Sequence, residues 1–281
     1  MALERSHLDF GGWRAGTAEA HRAAVARVID VMREQVSQPP SLGEMADVAC
    51  LSPFHFDRVF RYVTGVPPGA FLAALRLDAA KRLLLTTDLS VTDVCFELGY
   101  RSLGTFTTRF AQATGLPPGQ LRQLALTFAM PSPEHLGSVG RKRGRSAVVH
   151  GGVGGCVCAP DGFSGLIFVG LFPTPVPQGL PVAGDMLSRP GHYHLTAVPD
   201  GRYYVRAAAL PRSGDLRDYL VTAGPRIRVG VGDAPLLVRG GWATGRGDVT
   251  LRPAELTDPP VLISLLYLLA RRLDKSGERG R

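Results

Sequence analysis

Several side chains between residues 54 and 61 have the chemistry needed to recognise the edges of nucleic-acid bases. Arg58 can donate two parallel hydrogen bonds to O6 and N7 of a guanine, and Asp57 can accept one from the amino group of a cytosine. The ring of Phe54 can pack against the methyl group of a thymine. These groups, together with Arg61, can act only if one structural element presents them on the same exposed face.

An internal repeat predicts such an element. The phrase TGVPPGAF at residues 64–71 recurs as TGLPPGQL at residues 114–121. In both copies the glycine that follows the threonine is expected to end one helix. The two prolines then open the next helix, where a missing backbone N–H costs nothing. The repeat therefore predicts two copies of one structural unit.

Each copy is predicted to contain two short helices with a tight turn between them, which is a helix-turn-helix unit. The first helix begins at a capping-box serine, Ser41 or Ser90, and has apolar residues at the i, i+3, i+4, i+7 spacing of one helix face. The second helix begins at another capping serine, Ser52 or Ser102. The predicted ranges are 41–65 and 90–115 for the two units, about 68–85 for the helix that joins them, and 21–38 for a preceding amphipathic helix.

This layout resembles the DNA-binding domain of the AraC/XylS family of bacterial transcription regulators. That domain is similar in having about seven helices and two helix-turn-helix units joined by a long helix. The resemblance covers roughly residues 21–128, and its specific parts are the segments RLDAAKRLLLTT, SVTDVCFELGYRS, FTTRF and GLPPGQLR. It implies an all-α, homeodomain-like DNA-binding domain in residues 1–128, in which the second helix of each unit enters the major groove of double-stranded DNA.

The first unit is expected to present a charged recognition face. Phe56 and Phe60 face the core in the predicted second helix, so the opposite face meets the bases. The imidazole of His55 either touches the DNA backbone or belongs to an ordinary surface residue, and the bland alternative for the charged residues is a solvated helix face. The expected DNA-contacting residues of this unit are Phe54, His55, Asp57, Arg58 and Arg61.

The second unit is expected to present a small, weakly polar face. The family usually has an arginine where this chain has Thr108, whereas here the arginine comes one position later, a rotation of about 100° around the helix. Arg109 is therefore expected to contact a phosphate or a neighbouring helix, although its spacing places it in the inward stripe. Arg101 and Arg76 are candidate phosphate contacts. The remaining candidates of this face are Leu103, Gly104 and Thr107.

The hydrophobic pattern changes after residue 150. The run LIFVGLF at 166–172 predicts a buried strand, and RIRVGVG and PLLVRGG predict further short strands. The segment GHYHLTAVPDGRYYVRAAAL alternates polar and apolar residues on both sides of turn residues, which predicts a β-hairpin. We expect residues 150–281 to form an all-β sandwich, which weakly resembles carboxypeptidase-regulatory or transthyretin-like sandwiches, with a helix in the tail DPPVLISLLYLLARRLDK.

Residues 129–149 are rich in Pro, Gly and Ser and predict a linker between the two domains. Their basic residues, Arg141-Lys142-Arg143 and Arg145, either follow phosphates or keep a flexible linker solvated.

The predicted hairpin also suggests a binding patch. Pairing of its two strands would bring His192 and His194 to the same side as Tyr204 and Arg206, which suits a small anionic or phenolic effector, with a solvated strand face as the alternative. The pair Cys156-x-Cys158 and the two histidines include zinc-ligand types. Most such i, i+2 pairs in strands are simple alternation, so no metal or cofactor is expected.

Charge and composition limit the location and the partners. The net charge is +8, yet residues 1–128 hold 13 basic and 12 acidic side chains, so an anionic partner must be bound by individually placed residues. The N-terminus lacks the apolar region of a signal peptide, and the longest apolar run is too short to span a membrane. Four cysteines without CxxC spacing fit a reducing compartment. We expect a cytoplasmic, nucleoid-associated protein with no membrane contact.

No nucleophile–base arrangement, phosphate loop or pair of carboxylates indicates catalysis, so the chain is not expected to be an enzyme. The leading hypothesis is a sequence-specific transcription regulator whose chain occupies two successive major grooves and whose β-domain is a sensory or assembly module. Its candidate partners besides DNA are RNA polymerase, a small-molecule effector and a second copy in a homodimer. The alternatives are an architectural DNA-binding protein whose β-domain binds another protein, and an enzyme targeted to DNA.

Overall fold

The computed structural model describes residues 15–127, 151–160, 163–211 and 227–263. The predicted double helix-turn-helix domain is confirmed: α2–α3 and α5–α6 are the two units and α4 joins them, whereas α1 lies closer to the N-terminus than predicted. The helices are α1 (Ala15–Glu34), α2 (Leu42–Val48), α3 (Pro53–Thr64), α4 (Pro68–Thr86), α5 (Val91–Glu97), α6 (Leu103–Thr114) and α7 (Pro118–Thr127).

Serine side chains begin the helices of both units, as their positions predict. The Oγ atom of Ser41 accepts a hydrogen bond from the N–H of Glu44 (3.3 Å), whose carboxylate accepts one from the N–H of Ser41 (2.7 Å). Ser90 and Asp93 form the same reciprocal pair at the start of α5. Each bond satisfies a backbone donor that has no partner within the helix, which stabilises the helix by about 1 kcal/mol.

The repeated phrase has one geometry in both copies. Gly65 and Gly115 end α3 and α6 with left-handed φ angles of 76° and 89°. The hydroxyls of the preceding buried threonines, Thr64 and Thr114, donate to the carbonyl four residues earlier (2.8 and 2.9 Å) and accept from the N–H two residues later (3.3 and 3.4 Å). The threonine is thus part of the joint between two helices, a role that the sequence analysis did not assign.

The turns inside the two units differ by one residue. Cys50 and Gly99 occupy equivalent left-handed positions, with φ of 56° and 70°. The next residue in each turn donates its N–H back to the preceding helix, Leu51 to Ala46 O and Tyr100 to Cys95 O, at 3.0 Å in both cases. In the first unit the capping residue Ser52 follows Leu51 directly, whereas in the second unit Arg101 lies between Tyr100 and Ser102. Arg101 is therefore the additional residue.

Ten strands are found among the described residues after α7. The buried strand predicted at 166–172 is present as β2, and the strands predicted from RIRVGVG and PLLVRGG are β6 and β7. The strands are β1 (Val153–Cys158), β2 (Gly165–Phe172), β3 (Ala183–Leu187), β4 (Gly191–Leu195), β5 (Gly201–Pro211), β6 (Arg228–Val231), β7 (Leu236–Arg239), β8 (Trp242–Thr244), β9 (Val249–Thr250) and β10 (Arg252–Pro253).

The strands form two sheets that pack on each other. The small sheet has the order β4-β1-β9, and the large sheet has the order β10-β6-β5-β2-β3, with β7 and β8 extending from β5. Val153 and Tyr193 of the small sheet share one apolar cluster with Ile167 and Val205 of the large sheet. This arrangement agrees with the predicted all-β second part.

The opposite face of the large sheet packs on the helices. Leu166, Phe168 and Ala208 belong to the same cluster of buried residues as Phe60 and Phe110 of the helical part. The large sheet is therefore a middle layer that is covered on both faces, which explains why every residue of β2 is buried.

The predicted hairpin between β4 and β5 is wrong. β4 pairs with β1, in the small sheet, whereas β5 pairs with β2, β6 and β7, in the large sheet. The segment between them carries the chain from one sheet to the other. Alternation and turn residues do mark two strands with a reversal between them, but they do not determine which strands become neighbours.

Polar contacts also join the helices to the β-rich part. Lys81 of α4 is wholly buried, lies 3.8 Å from Asp78 Oδ1 and donates a hydrogen bond to Val261 O (2.9 Å). Burial lowers the pKa of this lysine, an effect that Asp78 opposes and Arg82 reinforces. The N–H of Gly179 donates to Ala113 O (2.6 Å), a carbonyl in the last turn of α6.

The predicted linker 129–149, with its basic residues, lies outside the described residues. So does most of the predicted tail helix, although Val261–Ile263 at its start are buried and not helical. No helix among the described residues is long and apolar enough to cross a membrane.

Candidate nucleic-acid interface

The recognition face of α3 is exposed as its sequence predicts. The side chain of Phe54 is 86% exposed and Arg58 is exposed, while Phe56, Val59 and Phe60 are fully buried on the opposite side. An exposed aromatic ring gains free energy when it leaves water to pack against an apolar surface such as the face or methyl group of a base. The helix therefore presents one large apolar group beside a cation that makes no ion pair within the described part of the chain.

Asp57 and Arg61 form a pair with each other. Arg61 Nε lies 2.8 Å from Asp57 Oδ2, and Arg61 Nη2 lies 3.4 Å from Oδ1, along one turn of α3. This bidentate contact fixes the direction of the guanidinium and occupies the carboxylate. On this face, Arg58 is the cation without an ion pair in the described part of the chain, whereas Asp57 shares its carboxylate with Arg61.

His55 does not lie on the exposed face. It is half-buried, and its ring meets the ring of His21 on α1 edge to face, with the centroids 5.7 Å apart. Burial, and then the neighbouring His55, lower the pKa of His21. The sequence predicted that His55 would either touch the DNA backbone or be an ordinary surface residue. Neither expectation includes this packing against α1.

The recognition face of α6 is small, as expected. Leu103 is 39% exposed, Gly104 and Thr108 are exposed, and Thr107 is half-buried. This surface has only one hydroxyl that is fully available to a base, and no guanidinium, so its contacts with bases are apolar or made through single hydrogen bonds.

Arg109 and Arg101 are both exposed. The equivalent of Arg109 in the first unit is the buried Val59, so the prediction that position 109 belongs to the inward stripe is wrong. The charge of Arg109 favours the ionised form of Tyr100, which places the guanidinium near the turn of its own unit. Both arginines are available for phosphates.

Arg76 has a structural role that the sequence analysis missed. Its Nη2 donates to Leu98 O (2.5 Å), a carbonyl at the end of α5, and its guanidinium carbon lies 4.3 Å from the centroid of the Tyr100 ring. Burial raises the pKa of Tyr100, while Arg76 acts in the opposite direction. A guanidinium held in this way joins α4 to the second unit and is poorly placed for a phosphate, contrary to the expectation.

The four residues of the suggested effector patch are separated. His192 and His194 lie on the exposed face of β4 in the small sheet. Tyr204 and Arg206 lie on β5, on the face of the large sheet that is turned toward the helices, because their neighbours Tyr203 and Val205 face the small sheet. The patch as it was derived from the hairpin does not exist.

The cysteines and histidines considered as metal ligands do come close. Cys156 is directly opposite His192 in the β1–β4 pairing, and the sulfurs of Cys156 and Cys158 are 3.9 Å apart. No group of three His, Cys, Asp or Glu residues that could hold a metal ion is found among the described residues. Burial, and then Cys158, raise the pKa of the Cys156 thiol, which disfavours the thiolate that a metal requires.

The comparisons with known proteins agree with this geometry. A family model described as a helix-turn-helix domain matches residues 45–124. The transcriptional activator RhaS of Enterobacter is 30% identical over 123 residues, which are 44% of this chain and 42% of that protein. AdaA of Bacillus subtilis, a bifunctional transcriptional activator and DNA repair enzyme, is 27% identical over 101 residues, 34% of this chain and 48% of that protein.

Solved structures also match the helical part. The DNA-binding domain of AdpA in complex with a target DNA is 32% identical, with a TM-score of 0.34, and the match covers 36% of this chain and 90% of that one. An AraC-type transcriptional regulator from Chromobacterium violaceum is 22% identical, with a TM-score of 0.36 and coverage of 40% and 96%. The chain spans about a third to a half of the curated relatives that it matches.

The helical part of the chain is thus a helix-turn-helix DNA-binding domain. The family match spans residues 45–124, and the two units joined by one helix are similar to the DNA-binding part of AraC-type regulators.

Proposed function

We propose that the chain is a sequence-specific transcription regulator of the AraC type, in which one chain occupies two successive major grooves. The observation that carries the proposal is the repeated unit itself. Two capped recognition helices, α3 and α6, present exposed faces and are joined by the single helix α4. A rigid connection between two recognition helices predicts one binding register for both.

The length of α4 implies a bend in the DNA. Successive major grooves are about 34 Å apart in straight DNA, and the 19 residues of α4 span roughly 28 Å. The two recognition helices fit neighbouring grooves more easily if the duplex bends toward the protein, at a cost of a few kcal/mol that the second set of contacts must offset.

The two units contribute differently to recognition. α3 combines Phe54 and Arg58, which can contact a thymine methyl and a guanine, whereas α6 has only small groups and the flanking Arg101 and Arg109. The first unit therefore provides most of the base discrimination, and the second provides mainly affinity through phosphates.

Footprinting of the full chain on DNA selected from a random library tests this function. At concentrations where the chain is a monomer in sedimentation, protection should extend over about two helical turns on one face of the duplex. Protection confined to a single turn, or the absence of any preferred sequence, would contradict it.

We further infer that the β-rich part modulates DNA binding. The support is its contact with helices α3, α4 and α6. Gly179 donates to a carbonyl of α6, Val261 accepts from Lys81 of α4, and the common apolar cluster includes residues of α3. A change in the β-rich part is therefore felt by the elements that hold both recognition helices. Such a regulator would act on the nucleoid, in the cytoplasm, with RNA polymerase as a further partner.

A further inference from the structure

A cavity of about 310 Å³ lies between the end of α3 and the large sheet. One wall is the last turn of the first recognition helix with its cap, Tyr62 to Gly65, and the opposite wall belongs to β2, β5 and β6. Sites for small molecules begin at about this volume, and most have apolar walls with a few convergent polar groups. The cavity thus has the size of a small-ligand site and borders a DNA-recognition helix.

Arg206 is the polar group that distinguishes this cavity. Its Nε donates to Pro175 O (2.9 Å) and its Nη1 to Val205 O (3.0 Å), and the ring centroid of Tyr204 is 5.5 Å from the guanidinium carbon. Within the described part of the chain, its Nη2 donates no hydrogen bond and no carboxylate lies within ion-pair distance. Burial lowers the pKa of Arg206 to about 10, so the group remains a cation at neutral pH.

No other charged group among the described lining residues forms an ion pair with Arg206. Arg252, a second cation in the lining, is held by Asp258 through two bonds of 2.6 Å. Asp258 acts on Arg206 only from beyond ion-pair distance, where it raises the pKa of Arg206 against the effect of burial. Asp233 also lines the cavity and is exposed, so it disfavours a ligand with more than one negative charge. Among the described lining residues, Arg206 is the only cation without a carboxylate partner.

We propose that this cavity binds a small organic monocarboxylate, whose carboxylate pairs with Arg206 and whose apolar body lies against Phe168, Phe172 and Ile263. The cavity lies at the lower end of the volumes of small-ligand sites, which favours a compact ligand. A half-buried guanidinium without an ion-pair partner has lost part of its hydration, and a carboxylate offsets that loss through charge-assisted hydrogen bonds. The apolar wall adds the favourable transfer of the ligand body from water.

The ligand would also contact α3. Atoms of Tyr62 and Val63 line the same cavity, so an occupant packs against the last turn of the helix that also carries Phe54 and Arg58. This coupling rests on the proposed function, because it matters for regulation only if α3 binds DNA. The ligand site itself stands on the cavity and on Arg206 alone.

Calorimetry of the full chain tests the site with 3-phenylpropionate and octanoate as probes. Their amides have the same shape without the charge, and we expect them to bind at least about tenfold more weakly than the acids. Arg206→Gln should weaken carboxylate binding by a similar factor. Arg202→Gln is the matched control, since it removes an exposed arginine on the same strand, and should leave the affinity unchanged within about twofold.

A second variant distinguishes loss of the site from loss of folding. Ala208→Leu places bulk in the cavity without touching a charge and should abolish carboxylate binding in a chain that still unfolds cooperatively. Hydrogen exchange of the amides of residues 63–65 should slow when the carboxylate is added to the wild type.

The outcomes separate the ligand site from the proposed function. Absence of carboxylate binding, equal binding of acids and amides, or unchanged binding by Arg206→Gln would overturn the site. Binding that requires Arg206, in a chain that shows no affinity for any DNA, would support the site and contradict the regulator. If both hold, the DNA dissociation constant measured with and without the carboxylate should differ.

Discussion

Replacement of Gly99 by alanine should damage the second unit and spare the first. The backbone of Gly99 has a left-handed φ of 70°, which costs an L-residue about 1–2 kcal/mol. In addition, a Cβ at this position would lie 2.0 Å from the carbonyl oxygen of Ser37 and 3.1 Å from its carbon, so the loop after α1 must move. We expect Gly99→Ala to lower the free energy of unfolding by about 2–4 kcal/mol.

Cys50 provides the matched control. It occupies the equivalent turn of the first unit with φ of 56°, and it already has a Cβ there. Cys50→Ala keeps this backbone and should change the free energy of unfolding by less than about 1 kcal/mol. The contrast between the two variants therefore measures the combined cost, at Gly99, of a side chain on a left-handed backbone and of the close approach to Ser37.

Urea unfolding followed by circular dichroism measures both variants, with the m-value as a check that the unfolded state is unchanged. Footprinting then shows where the damage lies, since Gly99 sets the angle between α5 and α6. Protection should weaken first over the half-site of the second unit. If Gly99→Ala is as stable as Cys50→Ala, or if both half-sites weaken equally, the reasoning from the turn geometry fails.

Three further predictions concern recognition and pH. Arg58→Ala should weaken DNA binding by about 1–3 kcal/mol and relax the sequence preference at one base position, and Thr108→Ala should weaken it less. Competition binding on a library of operator variants measures both effects, and equal losses of discrimination in the two variants would refute the prediction. Arg109→Ala should weaken binding to all sequences alike and reduce the slope of log affinity against log salt by about 1, as titrations at several salt concentrations can show. Because the folded pKa of His21 is lowered from 6.5, its protonation favours the unfolded chain, so stability should be full above pH 6.5 and fall as the pH drops toward the folded value. The urea midpoint of unfolding should fall between pH 7.5 and 5, and His21→Gln should make that fall smaller. If the variant shows the same dependence on pH, other groups cause it.

Much of the helical part could be predicted from the sequence because its signals are local. A serine that caps a helix forms its bonds within three residues, and a glycine that ends one needs only its own backbone freedom, so Ser41 and Gly65 could be assigned without tertiary information. The periodicity of α3 likewise placed Phe54 and Arg58 on the exposed face opposite Phe56.

The roles of side chains that contact a different helix could not be assigned in this way. Arg76 has the charge of a phosphate-binding residue, yet it bonds a carbonyl 22 residues away, because α5 ends beside α4. His55 packs against a ring on α1 that no spacing within its own helix could indicate. In both cases the neighbour comes from another helix, and only the packing of helices fixes it.

In the β-rich part, the sequence by itself determined the positions of β2, β6 and β7, since alternation and apolar runs depend on the strand alone. The tertiary structure decided that β4 and β5 enter different sheets and that Arg206 lies beneath the helices. A period of two separates the two faces of a strand, but it does not tell which face meets water when layers cover both. For that reason Arg206, which the alternation of polar residues placed on a surface patch, is a half-buried cation in the wall of a cavity.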